Sequence, residues 1–149
     1  MRTKLMAGLL ALAFALPTLA VAQAPPDSRD RAAVQRVLTG YAASVQSGDY
    51  AAVEALFGPG LHILTGPLAL HSWAEYRDQE LKPAAARFGG LRYTHSGIET
   101  TVRGDVAWSN FRWQMAGTAD TPPPVLGRAT AVLERLDGQW KIVALHFSK

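Results

Sequence analysis

Residues 127–148 read GRATAVLERLDGQWKIVALHFS, and this stretch decides the fold. Two runs of mainly apolar residues flank Asp137-Gly138, which is a strong signal for a two-residue hairpin turn. Pairing outward from that turn places Glu134 opposite Lys141, and this opposite-charge pair supports the register. The sequence therefore predicts a terminal β-hairpin centred on this turn.

Further strands are predicted upstream of this hairpin. Segments rich in threonine, tyrosine, isoleucine and valine flank Gly104-Asp105, which favours a second tight turn, and Gly66-Pro67 interrupts an earlier apolar stretch. Together with the hairpin, the predicted strands cover residues 61–65, 68–70, 91–103, 106–118, 126–136 and 139–147.

Three helices are predicted in the first half of the chain, from the 3.6-residue spacing of apolar residues and from capping residues. They cover residues 28–47, 50–57 and 73–81. We expect Gly58-Pro59-Gly60 to end the second helix and Pro83 to limit the third. Ser72 and Glu75 match a capping box at the start of the third helix.

The predicted order is two helices, short strands, a third helix and then a long antiparallel meander. Helices separated from a run of strands are typical of the α+β class. We expect a cone-shaped, strongly curved antiparallel sheet wrapped around three N-terminal helices. Such a cone would enclose a pocket.

The composition excludes several classes of site. The chain has 149 residues and no cysteine, so it holds no disulfide, no zinc–thiolate site and no thiol nucleophile. Its hydrophobic content of 48% argues against extensive disorder, and its length suits one domain.

Residues 1–22 are predicted to be a secretory signal. Arg2 and Lys4 precede an uncharged run from Leu5 to Leu16, and Ala20-Val21-Ala22 fits the small-x-small cleavage pattern. The apolar run is short for a bilayer, so we expect no membrane span after cleavage. The protein is therefore expected to be exported, to the periplasm or to the outside of the cell.

Cleavage would also change the charge. The formal net charge of the whole chain is +3, and loss of Arg2 and Lys4 leaves 13 basic against 12 acidic residues. With no cluster of lysine and arginine, no nucleic-acid partner is expected. The rest of the chain divides into an extended leader at residues 23–29 and one domain at residues 30–149.

Alternation along the last strand predicts which side chains share a face. His146 lies with Trp140 and Ile142 on the face toward the pocket, opposite small residues that leave space. The outer face is also apolar, which is typical of a protein–protein interface. We therefore expect a homodimer formed through this face. The predicted interface residues are Trp108, Val132, Val143, Leu145 and Phe147.

The pocket is predicted to be aromatic, with a few hydroxyl groups. Such a lining suits a small, largely apolar molecule. The predicted ligand-binding residues are Phe57, Thr65, Trp73, Tyr76, Ser109, Phe111, Trp113 and Trp140.

The sequence contains no recognisable catalytic motif. Its four histidines are not spaced as local metal pairs, so neither a metal nor another cofactor is expected. His146 on the inner face and Tyr41 on the apolar stripe of the first helix are candidate acid–base residues, and the alternative is that both serve only in the core. His62 and His95 are expected on outer or edge faces.

Two segments resemble a known superfamily. Residues 37–57, with Tyr41 and Gly48-Asp49, resemble the opening of nuclear transport factor 2-like proteins, and residues 127–148 are similar to the SnoaL-like branch. The resemblance covers most of residues 30–148 and implies the cone of a cystatin-like α+β roll. This fold hosts isomerases, cyclases, dehydratases, oligomerisation domains and inert binders, so the resemblance implies no single activity.

Comparison with the ketosteroid isomerases of this superfamily can be made residue by residue. Tyr41 matches their oxyanion-binding tyrosine by its spacing before Gly48-Asp49. The place of their general base falls on Thr65, and that of their second oxyanion donor falls within Ala131-Val132-Leu133. The resemblance therefore implies one of the three catalytic roles in this chain.

Three functional interpretations remain open from the sequence. The first is an exported SnoaL-like domain that binds a small apolar molecule in its cone. The second is an isomerase, cyclase or lyase that uses Tyr41 and His146, and a carboxylate facing the pocket would favour an enzyme. The third is a dimeric interaction module with a vestigial pocket, and a pocket filled by Trp113, Trp140 and Tyr76 would favour it.

The predicted signal can be tested on the protein isolated from its native host. Because Ala20-Val21-Ala22 fits the cleavage pattern, N-terminal sequencing is expected to begin at Gln23. A mature protein that retains Met1 or Arg2 would contradict export.

Overall fold

A six-stranded sheet forms one side of the molecule. The computed structural model describes residues 26–118 and 122–149. Its strands are β1 (Phe57–Thr65), β2 (Leu68–Leu70), β3 (Leu91–Arg103), β4 (Val106–Gly117), β5 (Val125–Leu136) and β6 (Gln139–Ser148). They follow the order β2-β1-β6-β5-β4-β3. Neighbours are antiparallel except β1 and β6, which are parallel, so the sheet is mixed rather than wholly antiparallel.

Three helical segments complete the α+β fold. They are α1 (Pro26–Ser47), α2 (Tyr50–Ala55), and a third segment in which α3 (Trp73–Tyr76), a π-helical turn (Arg77–Leu81) and α4 (Lys82–Phe88) follow without a break. Because α1 begins at Pro26, residues 26–29 of the expected extended leader are helical. The predicted signal at residues 1–22 lies outside the described residues. None of the helices within the described part of the chain is long and apolar enough to cross a membrane.

The apolar stripe of α1 packs on the inner face of the sheet. Val34, Leu38, Tyr41 and Val45 are almost completely buried there, as the helical spacing predicted. An ion pair anchors the start of the same helix, since Nη2 of Arg135 lies 2.6 Å from Oδ2 of Asp30.

The second helix is shorter than predicted. Asp49 caps α2 as expected, because its Oδ1 accepts the N–H of Ala52 at 3.0 Å. The helix ends at Ala55, however, and Phe57 already begins β1. The pairing of β1 with β6 shifts register between Phe57 and His62, so Gly58-Pro59-Gly60 forms an irregular part of the strand instead of a loop before it.

The third helical segment continues past the predicted stop at Pro83. This proline lies in the first turn of α4, where a missing backbone N–H is tolerated. A π-helical turn directly precedes it and joins α3 to α4. The segment ends at Gly89, which has a left-handed φ of 60°.

A β-bulge in β6 reverses the predicted faces of the last strand. Leu133 pairs with Ile142 and Val132 pairs with Ala144, so Val143 is an extra residue in β6. Trp140 and Ile142 face inward before the bulge, as predicted, but beyond it Leu145, which is 1% exposed, and Phe147 face inward. His146 is consequently exposed on the outer face, and its predicted position in the pocket is wrong.

Because of this bulge, two of the predicted dimer-interface residues are not on the outer face. Leu145 and Phe147 are core residues, because both lie on the inner face and are buried. Trp108 and Val132 do pair on the outer face, where Trp108 is 39% exposed, and Val143 is half-buried at the bulge. Dimerisation through this face stays a prediction.

A second bulge, in β3, moves His95 inward. Ser96 pairs with Arg112 and Glu99 pairs with Asn110, so β3 has one extra residue around Gly97, whose φ is 59°. His95 therefore lies on the inner face and Ser96 on the outer face. The expectation that His95 occupies an outer or edge face is wrong.

Gly127 is predicted to be essential for stability. A Cβ there would overlap the backbone oxygen of Ser148 and lie 2.7 Å from Nε1 of Trp113, so Gly127→Ala forces the sheet apart. We expect chemical denaturation to show a loss of about 2 kcal/mol or more. Gly40→Ala is the matched control, because it adds a methyl group to open space in α1 and should stabilise by about 0.5–1 kcal/mol. Equal effects of the two substitutions would contradict this packing.

Candidate functional site

A cavity opens between the third helical segment and the inner face of the sheet. Its volume is about 220 Å³, and five of its fifteen lining residues are aromatic. Polar groups reach it from the π-helical turn, from α4 and from the end of the chain. The apolar part of the wall includes Phe88, Tyr93, Trp113, Met115 and Phe147, and the polar part includes Thr65, Tyr76, Gln79, Glu80, Arg87 and Lys149.

Three of the eight predicted ligand-binding residues line this cavity. They are Thr65, Tyr76 and Trp113. The rings of Tyr76 and Phe147 are stacked at 6.3 Å, and Trp113 meets Phe147 edge-on at 5.9 Å. Trp113 is fixed by its indole N–H, which donates to the carbonyl of Arg128 at 3.2 Å. Side chains from the helical segment and from the sheet therefore form one aromatic wall.

The other five predicted residues lie elsewhere. Phe57 and Trp73 pack against each other at 5.6 Å and border a separate surface depression. Ser109 is fully buried, and its hydroxyl is hydrogen-bonded to that of Thr100 at 2.8 Å. Phe111 packs in the core against His95, and Trp140 lies beneath the guanidinium of Arg135. The filled pocket of the third interpretation would require Trp140, which does not line the cavity.

A pair of tyrosines links the cavity to the core. The hydroxyls of Tyr41 and Tyr76 lie 2.6 Å apart, within hydrogen-bonding distance. Burial is the main cause that raises the pKa of each of these tyrosines, and the nearby hydroxyl of Tyr93 also raises the pKa of Tyr41. Tyr76 lines the cavity, whereas Tyr41 stands behind it. The phenol presented to a ligand is therefore protonated and can donate a hydrogen bond.

Glu80 supplies a carboxyl group to the cavity. Its side chain is half-buried, and burial raises its pKa above the ordinary value, while the charge of Lys149 acts in the opposite direction. Sequence reasoning missed this residue. Its spacing could have indicated it. Glu80 follows the inward-facing Tyr76 by four residues, and residues four apart lie on the same face of a helix.

The predicted pair of Tyr41 and His146 is not brought together. Tyr41 is buried beneath the inner face of the sheet, and His146 pairs with Thr130 and is exposed on the other side. The single extra residue in β6 accounts for the difference, since side chains alternate between faces along a strand. The acid–base groups that line the cavity instead include Glu80 and Tyr76.

His95 is held in the core beside Tyr41. Its Nδ1 lies 3.1 Å from the carbonyl oxygen of Leu38, and its ring is stacked with that of Tyr41 at 5.5 Å. Nε2 is buried and has no hydrogen-bond partner among the described residues. Burial lowers the pKa of His95 to about 4, and the contact with Leu38 opposes the shift. The neutral ring that donates from Nδ1 fits this environment.

Within residues 26–118 and 122–149, no group of three histidine, aspartate or glutamate side chains could hold a metal ion. The rings of His62 and His71 lie 4.2 Å apart on the surface. Two imidazoles alone do not make a complete structural zinc site, which takes four ligands.

The sequence of the SnoaL-like domain family matches residues 34–149. The chain belongs to this family. A comparison with curated proteins gave no match for the SnoaL-like chain.

Solved structures show the same fold. A protein from Shewanella frigidimarina, provisionally named a ketosteroid isomerase, is 27% identical and covers 78% of the SnoaL-like chain and 94% of its own, with a TM-score of 0.67. A nuclear transport factor 2-like superfamily protein from Salmonella enterica is 17% identical over 81% of this chain and 91% of that one, with a TM-score of 0.70. A protein from Novosphingobium aromaticivorans, provisionally named a scytalone dehydratase, is 19% identical. The match covers 80% of this chain and 83% of that one, with a TM-score of 0.67.

Because His95 is buried and neutral, we expect the folded protein to become less stable as the pH falls. The pKa of His95 is about 4 in the folded state and 6.5 ordinarily, so the unfolded chain binds a proton at higher pH. The stabilisation is complete above pH 6.5 and is lost as the pH falls toward 4. We expect the free energy of unfolding, measured in urea, to fall by about 2 kcal/mol from pH 7 to pH 5 through this group.

His95→Asn is the matched variant, because its amide keeps a donor near the position of Nδ1 and does not titrate. It should remove this part of the pH dependence. Glu80, whose pKa is raised, acts in the opposite direction and is present in both proteins. The same slope in the two proteins would contradict the assignment.

Proposed function

We propose that the SnoaL-like domain binds a small, largely apolar molecule in the cavity between the third helical segment and the sheet. The aromatic wall around Trp113 and Phe147 supplies apolar contact, and Tyr76 and Glu80 supply fixed polar groups. Ligand sites commonly combine an apolar lining with a few placed polar groups. The volume of about 220 Å³ suits a small molecule or the reactive end of a larger one.

Acid–base catalysis in the same cavity is the second candidate, and Glu80 is the observation that favours it. A carboxylate with a raised pKa can take a proton from a carbon next to a carbonyl group. The hydroxyl of Tyr76 can donate to the oxygen that gains negative charge, and Tyr41 supports that hydroxyl from behind. Glu80 would then return the proton at a second carbon, which shifts the double bond without any cofactor.

The relatives support this class of reaction without deciding it. The Shewanella protein carries the name of a ketosteroid isomerase and the Novosphingobium protein that of a scytalone dehydratase. In this chain, Glu80 and Tyr76 are the groups that replace the pair of Tyr41 and His146 expected from the sequence.

The two candidate functions can be distinguished with a small unsaturated ketone and its conjugated isomer, used as substrate and product. Conversion of 3-cyclohexen-1-one to its conjugated isomer is followed by ultraviolet absorbance, and binding of the product is followed by NMR. Under the enzyme hypothesis, Glu80→Gln and Tyr76→Phe should each lower the rate by roughly 100-fold. Glu134→Gln and Tyr50→Phe are matched controls outside the cavity and should leave the rate unchanged.

Binding without turnover would leave the first candidate standing alone. In that case Tyr76→Phe should weaken binding of 2-cyclohexen-1-one, because it removes the donor to the carbonyl oxygen. Binding that is equal in Tyr76→Phe and Tyr50→Phe would contradict both candidates.

A further inference from the structure

A polar groove lies on the outer face of the sheet, away from the cavity. Its volume is about 400 Å³, and strands β3 to β6 contribute to it. Arg112 on β4 and Arg128 on β5 are direct cross-strand partners and both are exposed. Like charges placed directly opposite each other destabilise a sheet. The arrangement therefore has a cost that a bound anion would remove.

Among the residues that the structure describes, no carboxylate lies within ion-pair distance of either guanidinium. Among the described residues, Arg77 pairs with Asp78 and Arg135 pairs with Asp30, but neither Arg112 nor Arg128 forms an ion pair. The carboxylate that borders the groove is Glu99, on the far side of Asn110. Two unpaired guanidiniums thus outweigh one carboxylate in the same groove.

The guanidinium of Arg112 lies over the bulge glycine Gly97. Its Nη2 lies 3.3 Å from the place where a Cβ of Gly97 would stand, so the bulge glycine makes room for it. Two residues along the same two strands, the hydroxyl of Thr130 donates to Oδ1 of its cross-strand partner Asn110 at 2.8 Å. This bond fixes the amide of Asn110 and leaves its N–H groups available as donors. His146 pairs with Thr130 and also borders the groove.

We propose that this groove binds a phosphate-type dianion, which the guanidiniums of Arg112 and Arg128, both at its wall, hold together. The planar fork of arginine matches phosphate oxygens with two parallel hydrogen bonds, and two arginines match its two charges. Asn110 can donate to a remaining oxygen. The source is either inorganic phosphate or the phosphate group of a small ester, since both present the same oxygens.

The test is an NMR titration at constant ionic strength with inorganic phosphate, methyl phosphate and acetate. Phosphate should give saturable shifts of the arginine Nε–H signals and of the Gly97 amide. Arg112→Ala and Arg128→Ala should each weaken binding by roughly tenfold, since each removes charge-assisted hydrogen bonds. Arg92→Ala is the matched control, because it removes an exposed arginine outside the groove. Glu99→Gln should tighten binding.

Thermal unfolding provides an independent measurement. Phosphate should raise the melting temperature of the wild type and of Arg92→Ala but not that of Arg128→Ala. Without phosphate, Arg128→Ala should melt no lower than the wild type, because a repulsion is removed. Tighter binding of methyl phosphate than of inorganic phosphate would identify an ester as the ligand, and the reverse order would identify the free ion.

Three results would overturn the proposal. One is a response to phosphate that does not saturate. Another is equal binding by Arg112→Ala and Arg92→Ala. The third is a response to acetate as strong as the response to phosphate, because a single negative charge would then suffice.

Discussion

The extra residue in β6 is the constraint on which the two surfaces of this molecule depend. Because Val143 is unpaired against β5, the strand presents Ile142 inward before the bulge and Leu145 inward after it. Phe147 is thereby available to the aromatic wall of the cavity, and His146 is available to the polar groove on the other side. One inserted residue therefore shapes the inner cavity and the outer groove together.

Most of the architecture could be predicted because its signals are local. The turn at Asp137-Gly138 has positive φ at both residues, of 49° and 76°, and it sets the pair of Glu134 and Lys141 as expected. The family resemblance agreed with the class of fold. Bulges carry weaker signals, since inserting one residue into a strand such as β6 leaves its composition apolar on both sides.

The candidate site was less predictable because it depends on these irregularities. Thr65, Tyr76 and Trp113 were correctly predicted to line the cavity. His146 was misplaced by the bulge, and Glu80 was overlooked because the predicted helix ended one residue beyond it. The direction of a side chain near a predicted helix end cannot be inferred reliably from the sequence. Only the packed structure shows that the helix continues through Pro83.

The π-helical turn at Arg77–Leu81 is equivalent to an α-helix that carries one additional residue. Loss of one residue within this turn would leave a continuous α-helix. The helical turns on either side would therefore keep their orientation. Loss of one residue within Lys82–Phe88 would instead rotate the rest of that helix by about 100° and turn Phe88 away from the core. Length variation in this wall of the cavity is therefore tolerated at the turn that carries Glu80, so the polar group of the site can change while its apolar lining is retained.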